Sequence, residues 1–231
     1  PEGYEDAQFV PADKAALDAE KAKLDALDAA VKALEAELKA LLDRVDALVV
    51  DYKKLNTPAL QADAQATLDA LKADIATFTA KNDKVDCFAD SQATLAKAQL
   101  VIDQAKALTA ITAEYDALIA KLAGIADANV VSNMTARAKA ALDAAVKAIE
   151  AADETGMDLA VANFKLFDET IDKYLKALAI ADTDEVKAAK VYEAYVLLDN
   201  RIDMVRAAQL ADELRIVDET FAAVLGLDTL N

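Results

Sequence analysis

The stretch LDALDAAVKALEAELKALLDRVDAL, residues 24 to 48, decides the fold. Its apolar residues recur at alternating spacings of three and four, which places them on one face of an α-helix. Read as heptads, Leu24, Val31, Leu38, Val45 and Tyr52 occupy a, while Leu27, Leu34, Leu41, Leu48 and Leu55 occupy d. Valine at a with leucine at d suits a parallel two-stranded coiled coil, in which each g residue should meet an opposite charge at the partner's next e. Here Ala30 would face Glu35, Glu37 would face Leu42, and Arg44 would face Val49, and none of these pairs attracts. Leu42 and Val49 instead widen the apolar stripe, as expected of a helix that touches two or more neighbours in a bundle. The seam therefore reads as the spine of a single-chain bundle.

The rest of the chain supplies the neighbours. About a quarter of the 231 residues are alanine, and strong helix formers dominate the remainder. With four glycines and three prolines there is little material for turns, and β-sheet is not expected. Pro11, Pro58, Gly124, Gly156 and Gly226 all fall at edges of periodic segments, where proline opens a helix and glycine closes one.

Six helices are expected. The first runs from about Asp13 to Leu55, and the second opens at Pro58, capped by Thr57, and reaches Lys81 with Leu68, Leu71, Ile75 and Phe78 on its stripe. After the loop NDKVDCFADS, Asp90 or Ser91 caps a third helix carrying Leu108, Ile111, Tyr115, Leu118, Leu122 and Ile125. The fourth starts near Ser132 and ends near Asp153. The fifth, opened by Thr155 and Gly156, places Met157, Ala160, Phe164, Phe167, Ile171, Tyr174 and Leu178 at heptad spacing. The last, capped by Thr183, runs from about Asp184 to Leu225, and its stripe changes phase between Val205 and Leu210. The first and last helices would each be about 60–65 Å long. The expected fold is all-α: one elongated antiparallel helical bundle over 1–231, with an extended N-terminal tail at 1–12 and no domain linker.

Composition also narrows function. A formal charge of −17 opposes binding to nucleic acid, whose phosphates call for Lys and Arg, and disfavours anionic lipid. The chain has no histidine, the commonest general base and metal ligand. Its single cysteine, Cys87, excludes an intrachain disulfide and a multi-cysteine zinc site. Ser91 and Ser132 are the only serines, and no glycine-rich phosphate loop exists. Carboxylates are spread over the polar faces without a marked pair. The loop bearing Asn82, Asp83, Asp86 and Asp90 and the turn DTDEV at 182–186 lack the spacing of a Ca²⁺ loop. No catalytic residue, metal, cofactor or small-molecule substrate is thus expected. Asn133-Met134-Thr135 fits the N-glycosylation sequon at a predicted loop–helix junction, so Asn133 is a candidate acceptor in a eukaryotic secreted chain.

The segments ALDAEKAKLDALDAAVKALEAEL (16–38) and ARAKAALDAAVKAIEAAD (136–153) and the long final helix resemble the glutamate/alanine-rich and alanine-rich surface coat proteins of insect-stage African trypanosomes. Those are similar in plan to variant surface glycoproteins, helical bundles built on a long helical hairpin and tethered by a C-terminal glycolipid. The resemblance implies a non-enzymatic extracellular coat or spacer at the cell surface, held by a lipid anchor that lies outside this chain. It also implies lateral contacts with identical coat molecules or with a host or vector macromolecule. Two rivals remain open: a helical-bundle receptor or adhesin binding through a bundle end, and an amphipathic bundle that opens onto lipid.

Overall fold

The structure, a computed structural model, describes residues 11–52, 58–79, 88–151, 153–202 and 209–230. Among them are seven helices and no strand: α1 (Pro11–Tyr52), α2 (Pro58–Thr79), α3 (Phe88–Leu122), α4 (Ala128–Ala151), α5 (Glu154–Ala181), α6 (Glu185–Ile202) and α7 (Leu210–Leu225). The protein is an all-α helical bundle. Pro11 and Pro58 each occupy the first position of a helix, where the missing amide would have had no intrahelical partner. Gly226 closes α7 in the left-handed conformation, φ +70°, with its amide bonded back to Ala222 and Ala223.

The chain divides into two compact units. The first takes in α1 to Asp51, α2 from Ala62 and α3 as far as Ile102, and the second takes in the rest, which includes Tyr52, Pro58–Gln61 and the chain from Asp103 onward. The core of the first unit is aliphatic: Leu34, Leu38, Leu41 and Val45 of α1 meet Leu68, Leu71 and Ile75 of α2 and Ala98 and Ile102 of α3. Lys72 pairs with Asp46 and Lys97 with Asp74 (3.4 Å) along its outside. The seam from Val31 to Val45 is thus buried within its own chain, and Leu42 packs against the core from the side. Its beginning is not. Leu24 is 63% exposed and Leu17 55%, and every described side chain from Ala12 to Ala30 is exposed except the half-buried Leu27.

In the second unit α5 is the central element, packed against α4, α6 and α7. Its predicted stripe is buried from Met157 to Tyr174, with Leu178 half-buried beyond it. Around it lies an aromatic cluster. Tyr174 stands 5.2 Å from Tyr195, 6.3 Å from Tyr192 and 6.5 Å from Phe221, centroid to centroid, in tilted or edge-on arrangements that aromatic quadrupoles favour. Thr112 of α3 and Thr170 of α5, both buried, each donate to the carbonyl four residues back, Leu108 (2.8 Å) and Leu166 (2.7 Å). Lys173 and Asp218 tie α5 to α7 at 2.6 Å.

Two expectations change. The expected last helix is two helices, α6 and α7, that pack against each other. Gln209, at φ −101° and ψ 0°, stands as a fresh N-terminus before Leu210. Arg201 and Glu213 meet at 3.0 Å, whereas twelve residues of continuous helix would separate their backbones by about 18 Å. The phase change in the stripe therefore marks a change of direction. Its connecting residues, 203–208, lie outside the described residues, as do the cap Thr57 and the tail residues 1–10.

The caps also shift. Asp127 caps α4, accepting from the amides of Asn129 (2.9 Å) and Val130 (3.2 Å), so Ser132 lies a turn inside the helix. Asp153 caps α5 by accepting from Gly156 (2.9 Å), and Asp184, not Thr183, caps α6 by accepting from Lys187 (3.1 Å). Asp90 and Ser91 both lie inside α3. In each of the three observed caps an aspartate oxygen accepts from an amide of the first turn, where its charge also suits the helix dipole.

Candidate functional site

A cleft of about 450 Å³ lies among α4, α5 and α6 of the second unit. Its origin is legible residue by residue. Asp127 starts α4 in a register that turns Met134, Ala138, Leu142, Ala145, Val146 and Ile149 inward. Beside that stripe, Ala140, Ala141, Ala144 and Ala148 form, together with Ala145 of the stripe, a ledge of single methyl groups. Opposite stand Ala160, Phe164 and Phe167 of α5, and Ile202 of α6 closes one side. Side chains as short as those of the ledge leave open a space that longer ones would fill.

The polar wall of the cleft is a short network. The Arg137 guanidinium of α4 donates to the Asp199 carboxylate of α6 and, at 3.3 Å, to the side-chain carbonyl of Asn200. The pair is half-buried, and the hydrogen bond to Asp199 holds the guanidinium pKa above its ordinary value. Asn163 of α5 adds a second carboxamide.

Behind this network sits the Tyr195 hydroxyl, buried and without a hydrogen-bond partner among the described residues. Burial pushes the Tyr195 phenol strongly up, with the nearby Asp199 charge adding to it, and burial pushes Tyr174 up to about 12. Neither hydroxyl is poised to act as a base near neutral pH.

A second hollow, about 430 Å³, lies in the first unit between α1 and α3 and is lined by Glu37, Ala40, Leu41, Arg44, Gln92, Leu95, Ala96 and Gln99. A third feature is electrostatic. Lys121 of α3 reaches both Asp168 (3.2 Å) and Asp172 (2.8 Å) of α5. Burial opposes its charge, but the two hydrogen bonds leave its pKa raised. Beside it, burial and the neighbouring Asp168 raise the Glu114 carboxyl above its ordinary range.

The residues singled out from the sequence are not brought together. Asn133 is exposed in the second turn of α4, inside the helix and not at the expected junction, while its neighbour Met134 is buried. Asp182, Asp184 and Glu185 are exposed around the α5–α6 turn, and Asp184 is engaged as a cap. Cys87, Asn82, Asp83 and Asp86 lie outside the described residues. Among the described residues no group of three or more Cys, Asp or Glu could hold a metal ion, and no helix is long and apolar enough to cross a membrane. The cleft escaped sequence reasoning. Its one available signal was the run of alanines at 140, 141, 144, 145 and 148, which is hard to notice in a chain so rich in alanine.

Comparison with known proteins finds no protein family, no curated protein and no solved structure with a significant likeness to this chain. What the structure itself defines is the class: an all-α helical bundle.

Proposed function

We propose that the chain is a non-enzymatic bundle protein that forms a protective or interaction layer at a cell surface, carried on a lipid anchor. The observation that supports this reading is the outer face of the helices. Lys21–Asp25, Lys23–Glu20, Lys32–Asp28, Lys139–Asp143 and Arg215–Glu219 pair within single helices, one turn apart, on exposed side chains. Alanines fill much of the space between them. Such a face is hydrated and offers little for another molecule to grip, and pairs of this kind add little stability. The charge of −17 makes neighbouring copies repel, and screening over about 8 Å at physiological salt keeps that repulsion short-ranged, which suits dense packing. Asn133, exposed on α4, would carry a glycan in this setting.

The test is surface labelling of intact source cells with a membrane-impermeant reagent, followed by phospholipase treatment. Labelling and release into the medium would support the proposal, and a chain labelled only after permeabilisation would end it. The receptor or adhesin reading remains the alternative, favoured by the cleft among α4, α5 and α6.

A further inference from the structure

We infer that the cleft among α4, α5 and α6 is a binding site for a neutral, mostly apolar small molecule bearing one hydrogen-bonding group. The inference is independent of where the protein resides. At about 450 Å³ the cleft lies within the range of small-molecule sites, roughly 300–1,000 Å³. Most of its wall is hydrocarbon, the alanine ledge facing Phe164 and Phe167, so an apolar body is what it shelters.

Charge decides the rest. Among the described residues the ionic groups that line the cleft are Arg137 and Asp199, which bond to each other and so leave no uncompensated charge between them for a ligand. An anion would meet Asp199 and a chain of net charge −17, while a cation would have to compete with Arg137 for the carboxylate. Neutral ligands escape both costs. Polarity is still offered at one place. The carbonyl of Asn200 is spent on Arg137, which leaves its amide NH₂ as a donor, and the Asn163 carboxamide can donate or accept. A hydroxyl or carbonyl on the ligand matches that pair, and an apolar ring system matches the alanine and phenylalanine lining.

The probe is 1-naphthol, which is neutral near pH 7 and fluorescent, titrated against the full chain, with 1-naphthalenesulfonate as its anionic counterpart. The expected result is saturable naphthol binding, weakened about tenfold or more by Ala144→Leu or Ala148→Leu, each of which fills the cleft. Circular dichroism should show both variants fully helical, and Ala144→Val serves if leucine overfills the space. The sulfonate should bind about tenfold more weakly than naphthol. No saturable binding, or equal affinity in wild type and folded cleft-filling variants, would overturn the site, and equal affinity for the two probes would overturn the assignment of a neutral ligand.

Discussion

Helices α1 and α5 carry equally regular apolar stripes, and the structure treats them differently. On α5 the stripe is buried from Met157 through Tyr174, because α4, α6 and α7 close around it. On α1 burial begins only at Val31, although Leu17, Leu24 and Leu27 precede it on the same face. A stripe states which face of a helix can be buried. Whether it is buried depends on how much partner helix the chain supplies at that level. To this unit α1 contributes 41 residues, Pro11 to Asp51, against 18 of α2, Ala62 to Thr79, and 15 of α3, Phe88 to Ile102. Regular spacing is thus evidence of helix and orientation, and burial needs a second count.

The comparison can be broken by substitution. The largest effect is expected at the centre of the second unit. Phe221→Ala removes a fully buried ring that touches Tyr174, and it should cost about 3–5 kcal/mol in chemical denaturation. Leu38→Ala, in the aliphatic core of the first unit, should cost about 2–3 kcal/mol. Leu24→Ala changes the same residue type on the same stripe of the same helix, two heptads earlier, and should stay within about 0.5 kcal/mol of wild type. If Leu24 and Leu38 cost the same, the contrast between the two parts of α1 is wrong.

Titration sharpens the contrast from the aromatic side. Tyr174 and Tyr195 have folded pKa values raised above the usual value of about 10. The unfolded chain therefore ionises first, and stability present below pH 10 is lost as pH rises toward about 12, where Tyr174 ionises in the folded state. Tyrosinate absorbance near 295 nm should show these two phenols ionising together with loss of helical signal. A smooth titration of all tyrosines near pH 10 with the fold intact would contradict their burial.

The smallest effect is expected at Glu114, whose pKa is also raised, so its charged form weakens the α3–α5 contact and stability falls as pH rises through its titration. Glu114→Gln should therefore stabilise at pH 7, by no more than a few tenths of a kcal/mol because solvent screens the site. Near pH 3 the gain should vanish.

Much of this architecture was legible in the sequence, for identifiable reasons. Periodicity gave the helical class and six of the ten buried residues of α5, missing Leu166, Thr170, Ala177 and Ala181, and Pro11, Pro58 and Gly226 marked helix ends because their backbones admit few alternatives. The starts of α4, α5 and α6 were misplaced by one to five residues, and the expected α3 caps, Asp90 or Ser91, lie inside that helix. Asp127, Asp153 and Asp184 do the capping, and in a chain with many aspartates a capping aspartate looks like its solvated neighbours. The turn between α6 and α7 left only a phase change, which is equally compatible with continuous helix. The cleft left less still, because it consists of volume that side chains fail to fill, and no motif records a missing methyl group.

Hydrogen exchange along α1 tests the account most directly. Both halves of the helix have the same backbone hydrogen bonds and similar composition, and only the second half is covered by partners. Amides of 12–30 should exchange orders of magnitude faster than those of 31–45, with the boundary at Val31. Uniform strong protection from 12 to 45 would mean that something covers Leu17 and Leu24 as completely as α2 and α3 cover Leu38, and the reading of the seam as a single-chain spine would fail.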